Sequence, residues 1–376
     1  MRRHAGGWGV PLLVFVAAEA FMLLVALVHG SDPLRSSTWT HWDSFHYLRQ
    51  ALDGATLRPC TTGIDAPPNN APPGAVCGDA AWFPGYPLQI RALHALGLAP
   101  GTAGLLLATG WSLATLVAAW RWLLDRRRDP AAVAALVFLA FIPGAVYYHA
   151  IFPMSCAAFF VVCLFGALRR ERWGWAAAAG AGACLMHSAA AVGIPLVVAW
   201  LWLGRDVPRT ERVRRSVLVG GAMAVATVAS IGVIGVQAGV WDAYLQQQAG
   251  YGNGLHFPAG RWRSLLLDPF STPTPAARAI AIQLAFTSVL LVALFAAAVR
   301  RGVRGIEVLA LAWTAALFLY PLSQTSVSVW RSDSLALIPA VLLLARGSSR
   351  AARLAAAGAM LVAVPMTLGF ISDAVV

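Results

Sequence analysis

Residues 8–29 read WGVPLLVFVAAEAFMLLVALVH, with one carboxylate, Glu19, and no basic side chain other than the closing histidine. As a helix, a run of this length reaches about 30 Å, the thickness of a bilayer's hydrocarbon core. Met1 to His4 in front of it give the outline of a secretory signal peptide. No small-x-small cleavage motif follows, however, and Glu19 interrupts the apolar stretch, so the segment is expected to remain as a first transmembrane helix. Working outward, apolar runs of the same kind recur near 101–124, 131–149, 154–168, 173–187, 189–204, 216–238, 280–299, 305–322, 333–346 and 354–372. The expected fold is all-α: one transmembrane bundle of about eleven helices over residues 1–376.

Composition agrees with that reading. The 376 residues are 59% hydrophobic and 12% charged, with a mean hydropathy of +0.68, values that exclude an ordinary soluble globule. All 28 basic residues are arginine, and the net charge is +12. That charge suggests nucleic acid until the arginines are placed. Twenty of the 28 fall in 2–3, 121–128, 169–172, 205–215, 300–304 and 346–353, which are alternate connections between apolar runs. This is the positive-inside pattern, so no nucleic-acid partner is expected. It predicts a multi-pass protein of the cell (plasma) membrane with its N-terminus cytoplasmic and its C-terminus extracytoplasmic.

The opposite connections include two long loops, 30–100 and 239–279, and most of the acids: Asp32, Asp43, Asp53, Asp65, Asp79, Asp242, Asp268 and Asp333. Chemistry is expected there, because long polar loops carry function and the arginine-rich connections are too short for a soluble domain. No Walker or Rossmann glycine pattern occurs. Cys156, Cys163 and Cys184 fall within apolar runs and read as packing residues. Cys60 and Cys77 flank the Pro/Asn-rich segment Thr61–Val76 and are expected to form a disulfide across a loop without regular structure.

Just after the first helix stands His41-Trp42-Asp43-Ser44-Phe45-His46-Tyr47-Leu48, followed later by Trp82-Phe83-Pro84-Gly85-Tyr86-Pro87-Leu88, with a short amphipathic helix between them. A carboxylate among aromatics at a membrane surface is poorly solvated, which makes Asp43 a stronger base than in water. The plainer reading is that Asp43 caps the helix beginning at Ser44. Glu19 reads as a functional intramembrane acid or as a protonated partner of a neighbouring helix. His187 reads as a cavity residue or as a turn with Ser188. Trp241, Tyr251, Phe257 and Trp262 read as sugar or lipid contacts or as interface anchors.

These motifs resemble the PIG-V-type mannosyltransferases of the GT-C superfamily, whose eukaryotic members add the second mannose to glycosylphosphatidylinositol precursors. The likeness continues through Phe141-Ile142-Pro143-Gly144-Ala145-Val146-Tyr147-Tyr148-His149-Ala150-Ile151-Phe152-Pro153-Met154-Ser155, through Tyr244-Leu245-Gln246-Gln247-Gln248-Ala249-Gly250-Tyr251, and through Trp330-Arg331 ahead of an apolar helix with Pro339. The resemblance implies inverting transfer of a sugar, mannose, from a polyprenyl-phosphate donor to a lipid or glycan hydroxyl, on the outer face and among membrane lipids. It casts Asp43 as the base and Arg331, His46 and His149 as phosphate ligands; by analogy with carboxylate-flanked glycosidic centres, Asp43 should lie near enough to the Arg331 region for one sugar to span base and phosphate, on the order of 5–9 Å. Trp42, Tyr47, Trp82, Phe83, Tyr86, Tyr148, Gln247 and Tyr251 would line the substrate.

One departure stands out: Met154 occupies the position of that family's glutamate, which leaves the acceptor open. Two rivals remain. A transporter or flippase would need polar residues along its helices and often shows internal repeats, and apart from Glu19 neither is evident. A non-catalytic scaffold of the same fold is compatible with Met154. No Asp-x-Asp pair occurs, so no divalent metal or other cofactor is expected.

Overall fold

The computed structural model describes residues 8–62, 65–66, 71–203, 207–251, 256–324 and 328–374. Helix α1 (Gly9–Val28) leads to a 3-10 turn (Ser36–Trp39), α2 (Asp43–Asp53), strands β1 (Leu57–Pro59) and β2 (Val76–Gly78), and α3 (Gly85–Ala95). Then follow α4 (Pro100–Ala118), α5 (Pro130–Ala140), α6 (Val146–His149), α7 (Met154–Arg169), α8 (Trp173–Met186), α9 (Gly193–Leu203) and α10 (Arg209–Ala238). The second long loop holds α11 (Ala243–Gly250) and α12 (Pro258–Ser271). The chain ends in α13 (Pro275–Arg301), α14 (Ile306–Leu322), α15 (Val329–Ala336), α16 (Ala340–Ala345) and α17 (Ser349–Ile371).

Local chemistry sets these boundaries. Asp129, Thr274 and Ser348 cap α5, α13 and α17 by accepting the N–H groups of Ala132, Ala277 and Ala351, and Pro130 and Pro275 follow at first-turn positions that need no N–H donor. Helices α10 and α13 stop at Gly239 (φ 70°) and Gly302 (φ 60°), in the left-handed conformation that glycine adopts without strain. Among the described residues, five helices are long and apolar enough to cross a membrane: α1, α4 with the π turn Ala119–Leu123 that extends it, α10, α13 and α17.

Two expected spans are broken. The run 131–149 divides at Pro143-Gly144 into α5 and α6, and 333–346 divides at Pro339 into α15 and α16, in each case where proline removes a backbone donor. The Cys60 to Cys77 segment also differs from the sequence reading. It is framed by an antiparallel ribbon pairing Leu57 with Gly78 and Pro59 with Val76, and Cys60 is bonded to Cys77 with Cα atoms 4.9 Å apart.

The arginine-bearing connections meet on one face. Asp125 is bonded by Arg169 (2.5 Å) and Arg170 (2.7 Å), Arg215 lies 4.2 Å over the Trp173 ring, and Trp200 donates to Gly305 O at 2.8 Å. Arg346 holds Glu307 at 2.7 Å on the same side. The long loops meet on the other face, where Ala55 N–H donates to Gln237 (2.9 Å), Gln247 donates to Gly78 O (2.8 Å), and His41 touches Asp373 (2.5 Å). Arg2, Arg3 and Arg205 lie outside the described residues.

Close helix approach relies on small residues, as expected in a bilayer. The glycine of Phe83-Pro84-Gly85-Tyr86 has a particular reason: a Cβ there would lie 2.4 Å from the Leu185 carbonyl oxygen, so α3 abuts the end of α8 backbone to backbone. Gly85→Ala should therefore cost about 1–3 kcal/mol, while Gly110→Ala, in open space on α4, should be neutral or better. Thermal unfolding midpoints of the two variants in one detergent check this, and equal midpoints would refute the close approach.

Candidate active site

Trp42, immediately before Asp43, has φ 52° and ψ −118°, a conformation L residues seldom adopt. Contacts on both sides hold it there. Upstream, buried Trp39 donates its indole N–H to Pro33 O (2.9 Å), meets the His149 ring edge-on (4.2 Å), and accepts the Ile151 N–H at its carbonyl (3.2 Å). Downstream, Arg91 of α3 donates to the carbonyls of Ala51 (2.7 Å) and Gln50 (3.2 Å) in the last turn of α2, where helix carbonyls run short of intrahelical donors, and Gln50 O also accepts the Gly54 N–H (3.0 Å). The Gln50 amide donates to Trp82 O at 3.0 Å.

The result is a fixed carboxylate. Asp43 Oδ2 accepts the Trp82 indole N–H at 2.8 Å and a direct bond from the Arg331 guanidinium, and both charged side chains are 17% exposed. Among the described residues the carboxylate takes no hydrogen bond from the N–H groups of α2, which the capping reading required. Arg331 also donates to Ser328 Oγ (2.9 Å) and sits 5.5 Å over the Phe152 ring.

Its helix is pinned twice. Buried Asp333 accepts from Gln283 (2.8 Å) and Thr287 (2.6 Å) of α13, and Tyr148 donates to the Ser334 carbonyl. Gly144 permits the close approach, since a Cβ there would lie 3.0 Å from Ser334 N.

Behind Trp82 lies a second charged layer. His46 stacks on the Trp82 ring at 3.6 Å and places Nδ1 2.8 Å from Asp79. Asp79 is almost fully buried and also accepts from Arg49 (2.6 Å) and Arg58 (3.0 Å), while Arg49 bridges onward to Asp65 (2.9 Å). A buried carboxylate persists only with such compensation.

Burial pushes the Asp43 carboxyl up, but the charges of Arg331 and His46 and the bond from Trp82 outweigh it, leaving the group below the usual carboxylate range. The structure therefore departs from one expectation, for Asp43 is a weaker base than in water while paired, and it touches Arg331 directly. Burial and then the Asp43 charge raise the phenols of Tyr47 and Tyr251, so both remain hydrogen-bond donors.

Of the residues singled out in the sequence, Asp43, Arg331, Trp82, His46, Tyr47 and Tyr251 gather here. Trp42 adjoins them with a buried indole N–H that finds no partner among the described residues. Gln247 supports Tyr251 from behind. A small crevice is lined by His46, Gly78, Gly250 and Tyr251, on the side of the second charged layer. The others serve elsewhere. Phe83 packs on Tyr244 (5.4 Å), Tyr86 donates to Gly104 O (2.6 Å), and Tyr148 is committed to Ser334. His149 is held by Glu19 at 2.6 Å, the neighbouring-helix reading of that acid. Met154, the departure from the family pattern, is buried at the start of α7.

Sequence reasoning overlooked Tyr147 and Phe152 and left His187 open. Tyr147 and His187 lie within electrostatic reach of both Asp43 and Arg331, and the Tyr147 hydroxyl is buried without a partner among the described residues. Tyr147 and Tyr148 are adjacent identical residues, so only the pitch of α6 decides which one faces the pair. Among the described residues no cluster of three or more His, Cys, Asp or Glu side chains forms a metal-ligand set.

No protein-family model matches the chain, and no curated protein matches it in sequence. Among solved structures, the fold is similar to that in the crystal structure of ArnT from Cupriavidus metallidurans bound to undecaprenyl phosphate. The TM-score is 0.54 at 18% identity, over 92% of this chain and 62% of that one. The likeness is one of fold, an all-α membrane bundle, in a chain spanning less than two thirds of that chain's length.

Replacing Arg331 with Met leaves burial acting on Asp43 without its counter-charge. The carboxyl should then titrate at higher pH than in the parent protein, as followed by the protonated-carboxyl band in infrared difference spectra. An unchanged titration would show that Arg331 does not set the ionisation of Asp43.

Proposed function

We propose that this protein is a membrane glycosyltransferase. It moves a sugar from a polyprenyl-phosphate donor to a hydroxyl of a lipid or glycan, with inversion, on the face opposite the arginine-rich connections. The observation that carries the reading is the Asp43–Arg331 pair, a carboxylate and a guanidinium fixed together among aromatic rings on the long-loop side of the bundle. The fold it shares with ArnT, a protein crystallised with undecaprenyl phosphate, supports the donor class. The PIG-V-like motifs favour mannose. The arginine distribution favours a cytoplasmic setting for the arginine-rich face, and the Cys60–Cys77 bond suits an oxidising compartment for the long loops.

The pair suggests how the steps connect. A donor phosphate bound at Arg331 draws the guanidinium away from Asp43. Burial then dominates, and the carboxylate becomes the stronger base that the sequence called for. Asp43 takes the proton of the acceptor hydroxyl as its oxygen attacks the anomeric carbon from the face opposite the phosphate. The bond from that carbon to the phosphate oxygen breaks, and the electron pair leaves with the phosphate, whose charge Arg331 neutralises. Trp82 and Trp42 offer flat surfaces and indole N–H groups to a sugar. The protonated phenols of Tyr47, Tyr147 and Tyr251 supply further donors. In this scheme the base is strengthened only when donor is present, which limits futile proton abstraction.

Asp43→Asn keeps size and hydrogen bonding while removing the base. Sugar transfer should fall by roughly 10²–10⁴-fold, with donor binding retained because Arg331 is released from its partner. Arg331→Met should lose donor binding as well as turnover. Membranes holding each variant, supplied with radiolabelled polyprenyl-phosphate mannose, provide the assay. Full transfer by Asp43→Asn would remove Asp43 from the chemistry.

A further inference from the structure

On the arginine-rich face, far from the Asp43 pair, α4 ends in the π turn Ala119–Leu123. Two clefts flank it. One, of about 630 Å³, lies against α7 and α8 and is lined by Arg121, Arg126, Arg170 and Arg172 together with Trp175 and Phe160. The other, of about 450 Å³, runs between α1 and α4 along Leu12, Gly110, Leu113 and Val117, with no charged side chain except Arg121. Arg121, Trp122 and Phe159 border both, so the cationic cleft continues into the apolar one around the Trp122 ring.

The charge in the first cleft is uncompensated. Asp125 is consumed by Arg169 and Arg170. The side chains of Arg121, Arg126 and Arg172 make no hydrogen bond or ion pair among the described residues. Burial first, and then the charges of Arg169, Arg172 and Arg121 around it, hold the Arg170 guanidinium below the usual arginine range although Asp125 is bonded to it. The turn is also strained, with Asp125 at φ 52° and Arg126 at φ 57°, a conformation that keeps Arg126 on the rim. π turns and strained residues of this kind are enriched at functional sites.

From this arrangement we infer that the paired clefts form a binding site for one anionic phospholipid, whose phosphate is held by Arg121, Arg126 and Arg172 and whose acyl chain lies along α1 and α4 past Trp122. Charge complementarity selects an anionic head. The apolar extension selects a lipid over a free phosphate ester. The assignment is independent of the catalytic reading and stands or falls separately from it.

The purified full chain in detergent, titrated with phosphatidylglycerol or with phosphatidylcholine of the same acyl chains and read by native mass spectrometry, tests the inference. One phosphatidylglycerol should bind at least about tenfold more tightly than phosphatidylcholine. The triple variant Arg121→Gln, Arg126→Gln, Arg172→Gln should lower phosphatidylglycerol affinity by about 10²-fold and leave phosphatidylcholine unaffected. Arg121→Gln alone, an exposed and structurally mild change, should lower it about fivefold. A control triple at Arg300, Arg301 and Arg350, exposed outside the clefts, should change neither. Equal binding of the two lipids, or a control triple as costly as the cleft triple, would overturn the site. Displacement of phosphatidylglycerol by an equal concentration of glycerol phosphate would overturn the lipid assignment.

Discussion

A single ion pair closes this molecule across 288 positions of sequence: Arg331, at the start of a late helix, holds Asp43, which opens the first helix after α1. Much of the long-loop face is arranged to make that contact tolerable. Two charges largely withdrawn from water need precise geometry and further bonds, and the structure supplies them through Trp82 on one side and Ser328 and Phe152 on the other. Each support has its own anchor. Trp82 rests on His46 and the Asp79–Arg49–Arg58 network, and the Arg331 helix rests on Asp333, Gln283 and Tyr148. The strained backbone at Trp42 is part of the same construction.

The bundle was largely legible in the sequence because a bilayer imposes the longest and simplest pattern a chain can carry. Each of the eleven apolar runs is largely helical among the described residues, five of them as helices long and apolar enough to cross a membrane, and the arginine groups in the described connections converge on one face. Divergence came where local backbone chemistry overrides hydropathy, at Pro143-Gly144 and at Pro339. The β1–β2 ribbon was illegible for a different reason. Three-residue strands carry too little alternation to detect, and this pairing depends on a cross-link between Cys60 and Cys77.

The site was legible in outline and not in detail. Asp43 and Arg331 were singled out, but a resemblance in short motifs carries no information about whether two charges touch. The structure bonds them directly. Tyr148 and His149 illustrate the limit. They lie in the motif beside Tyr147, yet one braces Ser334 and the other meets Glu19, while Tyr147 faces the pair. Gly85 and Gly144 are explained only by what lies opposite them, Leu185 and Ser334, each distant in sequence.

The central claim is that a lipid phosphate competes with Asp43 for Arg331, and it is most directly tested by a density map of the protein with an undecaprenyl-phosphate ligand. The account predicts the phosphate against the Arg331 guanidinium, with the Asp43 carboxylate no longer bonded to it and still held by Trp82. A phosphate bound elsewhere, with the Asp43–Arg331 contact intact, would contradict it.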